Sequence, residues 1–221
     1  MDTAVIYLLP VGAGRFELYA EPLDDRSGAE PVGFWRRNAH RLHGRWRDAV
    51  RDARDDAPKG GVLARARDWT LRRTADAIAE QRALWTLRRA TDAVLVHSHD
   101  LPPEQAARAR DRLLVHARTH HVRWLLVDAV VLVGSGVFMI VPGPNVIAYY
   151  FAFRVVGHFF SWRGARQALQ ATAWRMRTEP ALAELGQLAG LPRAARASRV
   201  HAIASDLNLP RLAAFFDRTA A

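Results

Sequence analysis

The apolar positions of the N-terminal region alternate as they do in strands. Residues 4–9 are rich in β-formers and residues 16–21 alternate, with a glycine-containing turn at 10–14 between them. This pattern predicts a small β-hairpin over residues 1–21. The polar, proline-bearing stretch 22–32 predicts a linker.

Helical spacing dominates the following region. Apolar residues recur every three or four positions over 34–56, and a second periodic stretch runs from 62 toward 96. A third helix is expected from Pro102 through His116, either ending before the next apolar segment or continuing into it. We therefore predict cytoplasmic helices over residues 33–123.

Residues 124–162 have no such stripe, because apolar side chains cover every face. Two segments, Trp124–Val141 and Val146–Trp162, reach about 27 and 25 Å as helices, which just spans a hydrocarbon core of about 30 Å. Arginines flank the pair on both sides and are absent from the turn. We predict a membrane hairpin with both termini in the cytoplasm. The alternative is a soluble or peripheral helical scaffold with this hairpin as its core.

The turn of the hairpin is Pro142, Gly143, Pro144 and Asn145. The prolines end the first helix, and Asn145 is a favourable N-cap for the second. Residues 163–221 are expected to form C-terminal cytoplasmic helices. The predicted fold class is mainly α, with a membrane α-helical hairpin, a helical cytoplasmic portion and the N-terminal β-hairpin.

Three ionisable residues lie inside the apolar hairpin: Asp128, Arg154 and His158. Asp128 and His158 are each four residues, about 6 Å, from the outer end of their segment, so they can face each other. Arg154 lies one turn from His158 on the same helix face. One interpretation is a proton- or ion-handling cluster in which His158 titrates near neutral pH. The other is a structural Asp–Arg pair that locks two helices together.

Composition limits the partners. The 221 residues carry a formal net charge of +10 and no cysteine. Because the arginines flank the apolar hairpin, we predict the lipid bilayer as the partner and do not expect nucleic acid. The absence of cysteine excludes disulfides and thiolate metal sites.

No other chemical site is predicted. His116 and His120 have a metal-ligand spacing, but no third ligand follows at a recognisable position. We predict no metal and no cofactor. No nucleophile set, phosphate loop or catalytic carboxylate pair is recognisable, so we do not expect an enzyme.

Two quoted stretches and the helices between them carry a family resemblance. The stretches YLLPVGAGRFELYAE and VPGPNVIAYYFAFRVVGHFFSWRGARQ resemble the mitochondrial potassium–proton exchange-related family and its bacterial relatives. The positions that match the family's pattern are Asn145, Tyr150, Arg154, His158 and Gly164.

The resemblance implies an integral membrane protein related to potassium–proton exchange, as an exchanger component or as an accessory or regulatory factor. Two helices cannot enclose an ion path, so we expect a homo-oligomer or a membrane partner protein. The chain starts without a recognisable transit peptide. This departure from the mitochondrial pattern predicts the bacterial inner (cytoplasmic) membrane as its location.

Overall fold

The computed structural model describes residues 3–21, 81–135 and 146–220. Residues 81–87 form a helical segment. The other elements, in chain order, are β1 (Ala4–Gly12), β2 (Arg15–Tyr19), β3 (Asp92–Ser98), α1 (Pro103–Ser135), α2 (Val146–Gln170), β4 (Ala173–Glu179), α3 (Pro180–Leu188), α4 (Arg193–Asp206) and α5 (Leu212–Thr219).

The strands form a mixed sheet in the order β2-β1-β3-β4. β1 and β2 are the predicted N-terminal hairpin and pair antiparallel, whereas β3 runs parallel to both β1 and β4. Three successive residues of the hairpin turn, Gly12, Ala13 and Gly14, have φ of 92°, 50° and 68°. Glycine adopts such values without steric cost, which explains its place on both sides of Ala13.

Two of the four strands replace helices expected from the sequence. β3 lies where the periodic stretch from 62 toward 96 predicted helix. β4 lies in the C-terminal region, residues 163–221, for which helices and no strand were predicted. A strand covered on both faces is an unbroken apolar run, here Ala93–Val96, and periodicity cannot distinguish such a run from a buried helix.

The core lies on the two faces of the sheet. On one face, Leu8 and Leu95 pack with Leu87, Leu114 and Ala165, which join the helical segment, α1 and α2 to the sheet. On the other face, the helices α3, α4 and α5 cover the alternate strand residues. The buried side chains of that second layer include Leu9, Val96, Leu182, Ile203, Leu212 and Phe216.

The prediction of a membrane hairpin over residues 124–162 is wrong, and the mainly α fold class and the transmembrane description are wrong with it. α1 and α2 extend the two apolar segments into arginine-bearing halves, because α1 begins at Pro103 and α2 ends at Gln170. Among the described residues, no helix combines the length and the apolar character that a bilayer crossing requires. The described fold is a mixed sheet with helices on both faces.

The proposed turn residues Pro142, Gly143, Pro144 and Asn145 lie outside the described part of the chain. Tyr150 lies in α2. The alternative prediction placed the core inside the hairpin, whereas the structure places it on the sheet.

Candidate functional site

α1 and α2 pack as an antiparallel pair. His121 contacts His158, and Asp128, two turns later on α1, contacts Arg154, one turn earlier on α2. On α1, residues seven apart return to the same face after two turns. One face of each helix therefore brings four polar side chains together.

Asp128 is the centre of this group. Its residue is only 1% exposed. Oδ2 of Asp128 lies 2.9 Å from Nε of Arg154 and 3.3 Å from Nε2 of His158. A buried carboxylate is costly unless it is paired and hydrogen-bonded, so these two partners account for its presence between the helices.

Arg154 is placed between the buried carboxylate and the surface. Its side chain is 31% exposed, and its guanidinium carbon lies 5.5 Å from the ring centroid of Trp124. A cation over an indole ring is attracted by the electron-rich face. Arg154 thus holds Asp128 from a position at which it also reaches water.

The second histidine of the site was not among the predicted residues. His121 is buried, and its Nδ1 lies 2.8 Å from Nδ1 of His158. The signal was present in the sequence, because His121 precedes Asp128 by seven residues and therefore shares its helix face.

The distances assign the protons of the neutral pair. Since Nε2 of His158 faces the Asp128 carboxylate, this nitrogen carries the hydrogen and donates it. Nδ1 of His158 is then an acceptor, so Nδ1–H of His121 donates to it. The assignment follows from the hydrogen-bond network, because a neutral imidazole has one donor and one acceptor.

The same geometry admits one additional proton and excludes a second. When a proton binds Nε2 of His121, its Nδ1–H bond can break as Nδ1–H of His158 forms. His121 is then neutral again, and the positive charge resides on His158 beside Asp128. A further proton would set two N–H groups against each other across 2.8 Å.

The pKa directions have physical causes that agree with this account. Burial, followed by the nearby His158 and His120, lowers the pKa of His121 to about 3. Burial also lowers the pKa of His158, against the opposing effect of Asp128, and Arg154 and His120 lower it further. Both rings are therefore neutral in the folded protein at neutral pH.

A row of imidazoles leads from this pair to the surface of α1. The His120 ring lies edge-on to His121 at 5.2 Å between centroids, and stacks on His116 at 6.2 Å. His116 and His120 are both exposed. Among the described residues, no three histidine or carboxylate side chains are placed to hold one metal ion.

The C-terminal half of α2 is held by close contacts with the helical segment formed by residues 81–87. Nε1 of Trp85 donates to Ser161 Oγ at 2.9 Å, and Ser161 donates to Gln81 at 2.8 Å. A Cβ added to Gly164 would lie 1.8 Å from the carbonyl oxygen of Leu84. These contacts fix the position of α2 along its axis relative to the helical segment. They therefore also fix where His158 and Arg154 lie.

Residues 66–172 match the family described as mitochondrial K+-H+ exchange-related. This match confirms the resemblance predicted from the sequence. No curated protein and no solved structure matches the chain.

The exchange-related segment contains the entire polar group of α1 and α2. It ends immediately before β4 and leaves out the N-terminal stretch, residues 7–21, that had suggested part of the resemblance. Gly164, one of the positions predicted from the family pattern, is the glycine in contact with Leu84.

Proposed function

We propose that this protein is a proton-responsive accessory factor of potassium–proton exchange, with the His121–His158 pair as its proton-binding group. The carrying observation is the chain of contacts from His121 through His158 to Asp128, with distances of 2.8 Å between the two imidazoles and 3.3 Å from His158 to the carboxylate. The match to the exchange-related family supports the coarser part of the proposal. An inner-membrane location and a partner protein there stay predictions.

Proton uptake changes the charge of the site in a defined way. In the neutral state, Asp128 and Arg154 balance each other. One added proton resides on His158, which approaches the same oxygen, Oδ2, that Arg154 holds. Two cations then compete for one carboxylate oxygen, and the hold on Arg154 weakens.

Arg154 is the side chain that can transmit this change. It is the more exposed of the two cationic partners and rests against Trp124 on the surface of α1. A charge change at the buried Asp128 carboxylate can thereby alter the position of a side chain on the accessible surface of the α1–α2 pair. Local charge changes of this kind are how protonation switches bias a surface.

The test is acid-dependent potassium efflux from cells of the source organism that lack the gene and carry a plasmid copy. We expect His158→Gln and His121→Gln to abolish the dependence of efflux on pH below about 6.5, because the pKa values of both histidines lie below that ordinary histidine value. His201→Gln is the matched control, because His201 is exposed on α4 away from the site. An unchanged pH profile in both site variants would overturn the proposal.

A second measurement separates an accessory factor from an exchanger component. The purified protein alone is added to potassium-loaded liposomes, and proton flux is followed with a pH dye. We expect no flux above that of protein-free liposomes. Flux that His158→Gln removes would make the chain an exchanger component and would contradict the accessory role.

A further inference from the structure

The outer side of α1 carries an apolar surface that nothing in the described structure covers. Leu126, Val130 and Val133 are 64%, 72% and 78% exposed, and Val127 is about half exposed. We call these four residues the outer α1 face. Side chains of this type normally lose such exposure on folding, so a contiguous set of them marks an interaction surface.

The outer α1 face is opposite the polar site on the same helix. At 100° per residue, Leu126, Val130 and Val133 all point away from Asp128, which faces α2. Their spacing of four and then three residues is the spacing of a helix–helix seam. A valine and leucine seam of this width fits an apolar helix better than an extended peptide or a polar ligand.

We propose that this face binds the same face of a second copy of the chain in antiparallel orientation. Between Trp124 and Gly134 the only charged residue is Asp128, which is buried. The seam is therefore uncharged and self-complementary, as a two-fold interface requires. The inference does not depend on the proposed function.

The position of Arg123 selects the antiparallel orientation. Arg123 is exposed and lies just before the seam. In a parallel pair the two Arg123 side chains would be neighbours, and like charges would repel. With the two-fold axis near Val130, the two residues are instead about 20 Å apart at 1.5 Å per residue.

The available area fits a modest dimer. The four residues of the outer α1 face offer on the order of 450 Å² per copy, which gives about 900 Å² for the pair. That total is near the lower limit for a specific interface. We therefore expect a reversible dimer with a dissociation constant on the order of micromolar.

Single-cysteine variants test the geometry directly, because the chain has no cysteine of its own. Val130→Cys is expected to form a disulfide-linked dimer under mild oxidation. Arg123→Cys is expected to remain monomeric, and Leu191→Cys, at an exposed apolar residue on the far side of the sheet, is the matched control. Equal cross-linking of Arg123→Cys and Val130→Cys would overturn the antiparallel pairing.

Sedimentation velocity then measures the interface without a covalent bond. The unmodified chain should shift from monomer to dimer between about 1 and 100 μM, around the expected affinity. The double variant Leu126→Glu/Val130→Glu should stay monomeric, and Leu191→Glu should dimerise as the parent does. Circular dichroism confirms that all three are folded.

Two further outcomes would overturn the proposal. One is a parent chain that stays monomeric over the whole concentration range. The other is a monomer that binds anionic phospholipid vesicles through the same face, which would show that a lipid surface is the occupant. A parallel co-sedimentation with vesicles of phosphatidylglycerol, comparing the parent with the double glutamate variant, detects this second outcome.

Discussion

The sheet and the α1–α2 pair distribute polar and apolar side chains in opposite ways. Around the sheet, residues such as Leu8 and Leu95 are fully buried. Between α1 and α2 lie four polar residues, His121, Asp128, Arg154 and His158. Leu126 and Val130 of α1 face outward instead.

The difference indicates two sources of structure in one unit. Removal of apolar area from water stabilises the sheet and its helices. Between the two helices, the contacts are a hydrogen-bonded ion pair and a histidine pair, whose net contribution is small but whose geometry is specific. The first region holds the fold, and the second contains the group that we propose binds protons.

The largest effect is expected from a substitution that disrupts the packing of α2 against the helical segment of residues 81–87. In Gly164→Ala, the new methyl group would meet the backbone of Leu84 at 1.8 Å, and backbone cannot move aside as a flexible side chain can. We expect a loss of about 4 kcal/mol or more in the free energy of unfolding, measured by urea denaturation. Gly134→Ala is the control, because its Cβ meets nothing within 4 Å; it should stabilise the helix by about 0.5–1 kcal/mol. Equal stability of both variants would contradict the close contact.

The same substitution at two leucines compares the regions directly. Leu95→Ala removes a fully buried side chain of the sheet and should cost about 3 kcal/mol. Leu126→Ala removes a mostly exposed one and should change the stability of the monomer by less than about 0.5 kcal/mol. Urea denaturation at submicromolar protein gives both values. A large loss in Leu126→Ala at that dilution would mean that the outer α1 face is covered within one chain.

The ion pair should show an asymmetry between its partners. Arg154→Ala leaves the buried Asp128 carboxylate without its guanidinium and should cost about 3 kcal/mol. Asp128→Asn should cost less, about 1–2 kcal/mol, because Arg154 is 31% exposed and can turn to water. Arg163→Ala, at an exposed arginine of α2, is the control.

Arg154→Ala should also raise the pKa of His158, because Arg154 lowers it and Asp128 raises it. Histidine proton signals in NMR titrations report this directly. A lowered or unchanged pKa of His158 in Arg154→Ala would show that the three groups do not interact as described.

The most gradual expected effect is a decline of stability as the pH falls. In the folded protein the pKa of His121, about 3, and that of His158 are below the ordinary histidine value of 6.5. Below about pH 6.5 the unfolded chain therefore binds more protons than the folded one, and stability falls as the pH falls. For His121, whose pKa is lowered to about 3, the loss approaches about 1.4 kcal/mol per pH unit below pH 6.5.

His121→Gln should make that decline shallower between pH 6.5 and 5, and His201→Gln should leave it unchanged. Thermal unfolding at a series of pH values gives both slopes. Identical slopes for His121→Gln and the parent chain would contradict a neutral, buried His121.

Three of the four residues of the polar site were predicted from the sequence. Asp128, Arg154 and His158 stand out in apolar segments, and their distances from the segment ends predicted that they can meet. His121 was missed because it lies outside the apolar segment, among exposed imidazoles with a metal-like spacing. Whether the three predicted residues handle protons stays a prediction.

The membrane prediction failed for a physical reason. Apolar residues on every side of a helix indicate burial on every side, but the sequence does not say in what. For α2, part of that burial comes from the helical segment near Trp85 and Leu84. For α1, the outer residues are exposed in the described structure, which leaves them available to a second copy.

Local chemistry in the sequence determined the N-terminal hairpin, the start of α3 and the charged residues of the site. Turn glycines, the Glu179–Pro180 helix start and the isolated charges act within a few residues. Only the tertiary structure decided that β3 and β4 are strands of one sheet and that His121 bonds His158. Parallel pairing and contacts between helices join residues far apart in the chain, and their energies depend on packing that no local pattern contains.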